Sequence, residues 1–444
     1  MKITNFTINL YKSIKEPLQF SPQLVNILIG QNNCGKSNIL YAIDYLFDVR
    51  GVSNVLAYFK ADIKVELEFT QEEKNQWSLP DIKATLSLQN EQRKLIFPQK
   101  TINYQGSLRN FLAKKIKHLN YEAFNDLTNL DKDWQSFLKY PKAVKLFTAN
   151  LNKHFPKIKL SNDALELDYD KAAIKEGKRN ATIDHLGSGF RRVFATLLYI
   201  FHPEYELVII DEPETHLHPV MVKKLLWAMQ NSQFGQVFFT THSPLFINSV
   251  TLNQLLRVIK DDKSTRAFGL PMQKQRYSYQ RLMQELDADN TEMLFADTVI
   301  LVEGVSDRIL LRALIDRFYT GDKDVKVVQT HGKGNVGLYI DLLKIFKINY
   351  LVLLDKDILT YQLDNVLQHL EIKLKSRGFT QMIAELKSYH IFVLPSGAIE
   401  SHYPKKYQTN DSKPLNAINA GSLITDYDFA SNTMAPLREI IDNI

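Results

Sequence analysis

The chain contains a single cysteine and no long apolar run. One cysteine, Cys34, excludes an internal disulfide framework and a cysteine-rich zinc module, and it is typical of a reducing compartment. The longest apolar stretch, residues 193–201, is far too short to cross a bilayer. Residues 1–10 alternate like a strand and lack the apolar core of a signal peptide. We therefore expect a cytoplasmic protein that is not bound to a membrane.

Size and charge narrow the class of protein further. The 444 residues exceed one typical core and allow roughly two or three domains. Hydrophobic residues make up 45% and charged residues 23%, as in ordinary globular proteins. The formal net charge of +6 is compatible with a polyanionic partner such as DNA.

The most informative stretch near the start is residues 30–37, GQNNCGKS, which fits the pattern of a phosphate-binding loop. An apolar run at residues 24–29 predicts a strand before it, and the periodicity of residues 38–47 predicts a helix after it. Such a loop points backbone N–H groups and a helix N-terminus at phosphates. The alternative is a Gly/Asn turn before an ordinary helix. The nucleotide-binding residues expected from this loop are Gly30, Asn33, Gly35, Lys36, which would reach the β- and γ-phosphates, and Ser37, which would ligate Mg²⁺.

Three later segments fit the same nucleotide site. An apolar strand at residues 207–210 ends in Asp211, expected to hold Mg²⁺ through water, and Glu212, expected to polarise the attacking water. A second apolar strand leads to His242, which could contact the γ-phosphate. Taken alone, the first pair could be an acidic loop and the histidine could be structural. The third segment places Ser188 and Gly189 before an apolar helix, where they could bind the γ-phosphate of a second subunit's ATP.

The four motifs, in this order, resemble the head of an ABC-type ATPase. The run EPETHLHP at residues 212–219 is similar to that of the RecF/SMC-like heads in the OLD (overcoming lysogenization defect) family. In such heads ATP lies between two protomers. The resemblance therefore implies a homodimer or a higher homo-oligomer.

A second group of acids lies near the C-terminus. The apolar strand at residues 299–302 ends in Glu303, and Asp307 follows in the first helical turn. Another apolar strand ends in Asp355 and Asp357. Parallel strands place their carboxyl ends on one edge of a sheet, where these acids would repel one another unless a cation holds them. Oxygen ligands of this kind suit Mg²⁺ or Mn²⁺.

The ordered pair E-G-x-x-D and D-x-D resembles a Toprim domain. A topoisomerase would also need a tyrosine-bearing cleavage domain, and a bacterial-type primase a cysteine zinc module. What remains resembles the OLD-family nucleases, which join an ABC-type head to a C-terminal Toprim domain. The resemblance extends to the H-G-K-G-N-V loop at residues 331–336. It implies Glu400 as a further metal ligand, about two ions in the site, and Lys413 as a stabiliser of the transition state, with Lys405 and Lys406 competing for that role.

The expected architecture is therefore α/β, with an ABC/SMC-like P-loop ATPase head followed by a Toprim domain. We assign residues 1–106 and 158–290 to the head and residues 297–444 to the Toprim domain. Lysine-rich residues 107–157 would form a helical insertion, either a dimerisation arm or a nucleic-acid contact. A polar stretch at residues 276–289 is predicted to be a helical linker.

The resemblance implies an ATP-binding, metal-dependent DNA endonuclease that nicks or cleaves and is gated by nucleotide. Family members include the nuclease subunit of the Gabija anti-phage system and retron-associated effectors, so antiviral defence is the implied role. A helicase, or a reverse transcriptase with its DNA/RNA product, is the implied partner. The alternatives are an ATP-driven sensor or clamp with an inactive Toprim domain, an RNA nuclease and a structural ATPase scaffold.

Overall fold

The computed structural model describes residues 1–49, 60–156, 158–160, 173–176, 179–182, 187–231, 235–270, 288–360 and 363–444. The chain divides into two compact units, each described by itself below. The first comprises Met1–Phe246 and Gln254–Ala267, and the second comprises Ile247–Asn253 and Phe268–Ile444. No described helix combines the length and apolar character that crossing a bilayer requires.

The first unit is built on two large sheets and one small one. Its strands are β1 (Lys2–Leu10), β2 (Leu18–Phe20), β3 (Val25–Ile29), β4 (Asp62–Glu68), β5 (Lys83–Gln89), β6 (Gln92–Ile96), β7 (Thr101–Asn103), β8 (Ile116–Leu119), β9 (Ile158–Leu160), β10 (Ala173–Glu176), β11 (Arg179–Thr182), β12 (Leu207–Asp211), β13 (Gln236–Thr240), β14 (Leu255–Lys260) and β15 (Thr265–Phe268). Its helices are α1 (Lys36–Phe47), α2 (Gln71–Gln76), α3 (Gly106–Lys114), α4 (Tyr121–Asn125), α5 (Leu127–Leu138), α6 (Pro141–His154), α7 (Ser188–Phe201) and α8 (Pro219–Gln230).

The central sheet has the order β15-β14-β3-β13-β12-β8, and β8, β12, β13, β3 and β14 pair in parallel. Every residue of β3 and β13 is buried. Strands covered on both faces read as continuous apolar runs, which is why the sequence revealed them. The phosphate-binding loop follows β3, and Glu212 follows β12.

The second large sheet is antiparallel, with the order β2-β1-β4-β5-β6-β7. In β4 the buried residues Ile63, Val65 and Leu67 alternate with more exposed ones, as in a strand with one face toward the core. A small antiparallel sheet, β11-β10-β9, completes the strands of this unit.

Residues 107–157 were predicted to form a helical insertion, but they also contain a strand. Four helices lie here, α3 to α6, but β8 forms an edge strand of the central sheet by pairing in parallel with β12. Trp134 and Phe147 pack against Phe194 of α7, with ring centroids 5.4 Å apart in each case. The region thus contributes to the core of the first unit, because its aromatic residues are buried there. The dimerisation role stays a prediction.

The second unit contains a four-stranded parallel sheet with the order β17-β16-β18-β19. Its strands are β16 (Thr298–Val302), β17 (Val325–Gln329), β18 (Asn349–Leu354) and β19 (Ile391–Val393). Its helices are α9 (Ala288–Thr291), α10 (Val305–Phe318), α11 (Val336–Ile345), α12 (Leu363–Leu370), α13 (Phe379–Lys387), α14 (Lys413–Leu423), α15 (Asp426–Ala430) and α16 (Ala435–Asp442).

The apolar strands predicted before Glu303 and Asp355 are β16 and β18, and Asp307 lies in the first turn of α10, as predicted. The predicted linker at residues 276–289 lies outside the described residues except for its last two positions, which begin α9.

Candidate active sites

The phosphate-binding loop adopts a conformation that requires its glycines. Gly30 and Gly35 have φ angles of 145° and 103°, and Asn33 has a φ of 60°. A side chain at Gly30 would place its Cβ 2.2 Å from the Val258 carbonyl oxygen, and one at Gly35 would place it 2.4 Å from Thr265 Oγ1. Strands β14 and β15 therefore hold the loop closely, which keeps its backbone N–H groups in place.

Lys36 is held by the backbone of this loop. Its Nζ donates to the carbonyl oxygens of Gly30 at 2.8 Å and Gln31 at 2.7 Å, and the residue is buried. Burial lowers the pKa of the ammonium group. Ser37 follows it as the second residue of α1, in the order that the motif predicts. The residues present fit a nucleotide phosphate and its Mg²⁺.

The two acids at the end of β12 are fixed by side chains from neighbouring elements. Thr240 Oγ1 donates to Asp211 Oδ1 at 3.2 Å and accepts from the Glu212 N–H at 3.2 Å. Arg192 of α7 donates to the carbonyl oxygens of Asp211 at 3.0 Å and Glu212 at 2.7 Å. Glu212 has a φ of 47°, in the left-handed region that few residues other than glycine adopt. The surrounding contacts hold this turn, so the two carboxylates leave the strand in different directions.

His118 of β8 connects this acidic pair to the helix after the phosphate loop. Its Nδ1 contacts Asp44 Oδ2 of α1, and its Nε2 lies 3.3 Å from Asp211 Oδ2. The ring is buried, and it lies 5.5 Å from the ring of Tyr41. Sequence reasoning missed His118 and Arg192 because no motif places them near Asp211. Only the pairing of β8 with β12 brings the histidine there.

His242 and Glu212 lie together, as the motif order predicted. His242 Nε2 is 3.6 Å from Glu212 Oε1. Burial, and then the charge of Lys36, lowers the pKa of His242. Glu214 holds the backbone at the histidine, since its Oε1 accepts from the His242 N–H at 2.9 Å and from Thr241 Oγ1 at 2.7 Å.

Ser188 and Gly189 begin α7, after an N-cap at Gly187. A Cβ at Gly189 would lie 2.7 Å from the carbonyl oxygen of His216, so the helix start approaches the backbone after β12 closely. Their predicted ligand is the ATP of a second subunit. That role stays a prediction.

In the second unit, three acids from two adjacent strand ends meet. One carboxylate oxygen each of Glu303, Asp355 and Asp357 lies within 4.8 Å of the others. The Asp355 N–H donates to Glu303 Oε1 at 3.0 Å, which joins the end of β16 to that of β18. The parallel pairing of these strands brings residues more than fifty positions apart to one edge of the sheet, as predicted.

The other two predicted acids form a second group beside the first. Asp307 accepts from the Gly304 N–H at 2.9 Å and so caps α10. Glu400 Oε1 lies 3.5 Å from Lys413 Nζ. Burial, and then the charge of Glu400, raises the pKa of Asp307, whereas Lys413 lowers it. The charges of Asp307 and Glu400 also raise the pKa of Asp355, although neither acid belongs to the group of three.

The carboxylates of this site are hard to ionise together. Burial, with added repulsion from Asp355 and Asp357, raises the pKa of Glu303 to about 7. Burial, followed by repulsion from Asp307 and Asp357, raises the pKa of Asp355 to about 6. A divalent cation would reverse both effects, since it attracts the ionised form. Carboxylate oxygens at this spacing fit Mg²⁺ or Mn²⁺.

Two lysines face these acids, and a third is engaged elsewhere. Lys333 contacts Asp357 Oδ1, and its Nζ lies 3.7 Å from Glu303 Oε2. The sequence pointed to its loop but not to this contact. Lys406, a competitor of Lys413, pairs with Asp428 at 2.8 Å. Among the lysines weighed for catalysis, Lys413 is the one that the structure places beside a predicted metal ligand.

Known protein families match both parts of the chain. The family "AAA ATPase domain" matches residues 1–122, and a further AAA domain matches residues 107–248. The family "Overcoming lysogenization defect protein-like, TOPRIM domain" matches residues 294–357. The class is thus an α/β protein that joins an AAA-type ATPase to an OLD-like Toprim domain, and the predicted fold class is confirmed.

Individual curated proteins and a solved structure also match parts of the chain. The chain is 30% identical to the OLD nuclease of Thermus scotoductus over 193 residues, which are 39% of this chain and 36% of that protein. It is 22% identical to endonuclease GajA of Bacillus cereus over 71% of this chain and 68% of that protein. The SMC head domain from Thermotoga maritima is 14% identical, with a TM-score of 0.42, over 61% of this chain and 100% of that one. The predicted resemblance to the OLD family is confirmed, although the chain spans only about a third of the first of these relatives.

Proposed function

We propose that the protein is an ATP-binding, divalent-metal-dependent DNA endonuclease that nicks or cleaves its substrate. The observation that carries the proposal is the meeting of Glu303, Asp355 and Asp357 at the carboxyl ends of two parallel strands, in a chain that also has a phosphate-binding loop. Two relatives named as nucleases support it.

In the head, Lys36 and Ser37 would hold the nucleotide phosphates and Mg²⁺, with Asp211 as a second, water-mediated ligand. Glu212 would orient and deprotonate the attacking water. His242, 3.6 Å from Glu212, would contact the γ-phosphate. Ser188 and Gly189 would complete the ATP site of a partner subunit, so the active form would be at least a homodimer.

In the Toprim domain the metal ligands would be Glu303, Asp307, Asp355, Asp357 and Glu400. When bound, two Mg²⁺ or Mn²⁺ ions would supply an activated water and stabilise the leaving oxygen. Lys413 would place a positive charge beside the scissile phosphate. Lys333 would act as the resident counter-charge for Glu303 and Asp357 and would have to yield when a cation binds.

The proposed DNA substrate and biological role draw on the relatives. Endonuclease GajA and the OLD nuclease of Escherichia phage P2 are matched over 71% and 36% of this chain. We propose a defence effector gated by nucleotide, working with a helicase or a reverse transcriptase and its product. An RNA nuclease, and a sensor with an inactive Toprim domain, are the competing functions.

A plasmid assay tests the proposal. Supercoiled plasmid is incubated with purified protein and Mg²⁺ or Mn²⁺, with and without ATP, and phosphate release is followed on the same preparation. We expect open-circular or linear products that depend on the metal. A protein that hydrolyses ATP but cuts neither plasmid nor an RNA control in either metal would contradict the proposal and favour the sensor.

A further inference from the structure

A cleft of about 460 Å³ opens beside the metal-binding acids of the second unit. Its volume falls in the range of about 300–1,000 Å³ that is usual for small-ligand sites. Three segments form its walls: the stretch after β18, the first residue of α13, and the turn after β19. The lining residues are Asp355, Lys356, Asp357, Leu359, Thr360, Phe379, Gly397 and Ala398.

One wall of the cleft belongs to the proposed cutting site. Asp355 and Asp357 line it, and both carry oxygens within 4.8 Å of a Glu303 oxygen. The opposite wall is joined to this one, because the Lys356 N–H donates to the Gly397 carbonyl oxygen at 3.3 Å. A phosphate held at the acids would therefore have its neighbouring nucleoside at the mouth of the cleft.

The feature that identifies a ligand is Phe379. It begins α13, is 55% exposed, and lines the cleft together with Leu359. Within the described part of the chain, no other aromatic ring packs against it. The lining of the cleft is mainly apolar, and the exposed ring adds a flat apolar face that a planar ligand could contact.

The chemistry of the walls selects among possible ligands. The acids disfavour a free anion, whereas an uncharged planar ring can lie against Phe379 and Leu359. Nucleobases all have such a face, and their stacking on aromatic side chains depends little on sequence. Lys356, which is exposed, adds a positive charge for the sugar–phosphate backbone.

We propose that this cleft binds one unpaired nucleobase next to the scissile phosphate, with Phe379 as its stacking surface. The inference rests on the proposed nuclease function and deepens it. It makes the substrate a strand with at least one unstacked nucleotide at the cut, because a base inside a duplex could not enter the cleft.

The test uses single-stranded DNA oligonucleotides whose cut position has been mapped on an end-labelled strand in Mn²⁺. Each test strand carries one abasic site, at a different position beside the cut. For wild type we expect kcat/KM to fall about tenfold at one abasic position. Phe379→Ala should lose the same factor on the intact strand and nothing more on that abasic strand, since both changes remove one contact.

A binding readout separates stacking from catalysis. 2-Aminopurine is placed at the sensitive position, and binding is measured in Ca²⁺, which takes the same class of oxygen ligands. Wild type and Phe379→Tyr should quench its fluorescence, and Phe379→Ala should not. Tyr427→Ala, at a residue that is 86% exposed in the same unit, is the control and should behave as wild type.

Three outcomes would overturn the inference, and they differ in meaning. If wild type cuts, but the losses from Phe379→Ala and from every abasic position simply multiply, the cleft does not hold a base and the nuclease assignment survives. If wild type cuts supercoiled plasmid but neither binds nor cuts any oligonucleotide, the base site fails and the nuclease assignment survives. If it cuts neither plasmid nor oligonucleotide, both fail.

Discussion

The two acid-bearing sites of this protein differ in the groups that contact their charged side chains. In the head, Lys36 is held by two carbonyl oxygens, and Asp211 by Thr240 and His118. In the Toprim site, the five carboxylates face two lysines, and the pKa values of Glu303 and Asp355 rise to about 7 and about 6.

This difference explains how each site would respond to its ligand. In the head, Lys36 would exchange its two carbonyl partners for phosphate oxygens when nucleotide binds, while Thr240 keeps Asp211 in place. The Toprim site holds excess negative charge at neutral pH, which costs folding energy and favours a cation. Substitutions in each site, and a change of pH, test whether the two sites differ in this way.

The largest expected effect is on the Toprim acids. Glu303→Ala removes a metal ligand and should reduce plasmid nicking by a thousandfold or more, on the order of 4 kcal/mol in the barrier. ATP turnover should persist, because the phosphate loop lies in the other unit. Asp322→Ala, at an exposed acid of the same unit, is the matched control. Unchanged nicking by Glu303→Ala would remove the site from the mechanism.

The head counterpart is Glu212→Gln, which should retain ATP binding but slow hydrolysis by a few hundredfold, since an amide cannot accept the proton of water. Lys36→Ala should instead lose nucleotide binding. Binding is followed with a fluorescent ATP analogue, and turnover by phosphate release. Glu72→Gln, at an exposed helical position, serves as control. Hydrolysis by Glu212→Gln at the wild-type rate would contradict its role.

Lys413→Ala should slow cutting about a hundredfold, equal to about 3 kcal/mol of transition-state stabilisation. Metal and DNA affinity should change little. Lys406→Ala is the discriminating partner variant, since Lys406 pairs with Asp428 instead of a predicted metal ligand. We expect it to cut within a few-fold of wild type. The reverse ranking of the two variants in the plasmid assay would show that the catalytic lysine is misassigned.

His118→Phe should raise the Mg²⁺ concentration for half-maximal ATP turnover about tenfold, because Asp211 loses a hydrogen-bonding partner that orients it. His118→Asn, which can still donate one hydrogen bond, should recover part of the loss. Plasmid cutting in the absence of ATP is the internal reference. If His118→Phe lowers ATP turnover at saturating Mg²⁺ but leaves the half-maximal Mg²⁺ concentration unchanged, the role of His118 is purely structural.

The smallest effect concerns pH. Between pH 8 and pH 6, Glu303 and Asp355 gain protons in the metal-free protein, because their pKa values lie at about 7 and about 6. Cation binding needs the ionised forms, so Mn²⁺ affinity should weaken roughly tenfold over this range. The Mn²⁺ affinity is measured by calorimetric titration at both pH values. The Lys36→Ala variant is used so that bound nucleotide does not contribute to the signal. Affinity that is equal at both pH values would argue that these acids ionise normally.

The fold class, and the acids that follow the apolar strands, could be predicted from the sequence alone. The phosphate loop is a local motif, and its glycines are required by the left-handed backbone of the loop itself. Glu303, Asp355 and Asp357 follow apolar strands, and parallel pairing brings such strand ends together without further information. A feature that depends only on neighbours along the chain, or on this one rule of sheet geometry, can be predicted from the sequence.

The side-chain contacts of the site residues became known only from the tertiary structure. His118 reaches Asp211 because β8 pairs with β12, and its own neighbours in sequence carry no sign of that pairing. Lys413 and Lys406 are alike in sequence, yet one faces Glu400 and the other Asp428. The cleft at Phe379 needs three segments that are far apart in the chain. Such contacts depend on the packing of many side chains at once, and no local pattern encodes them.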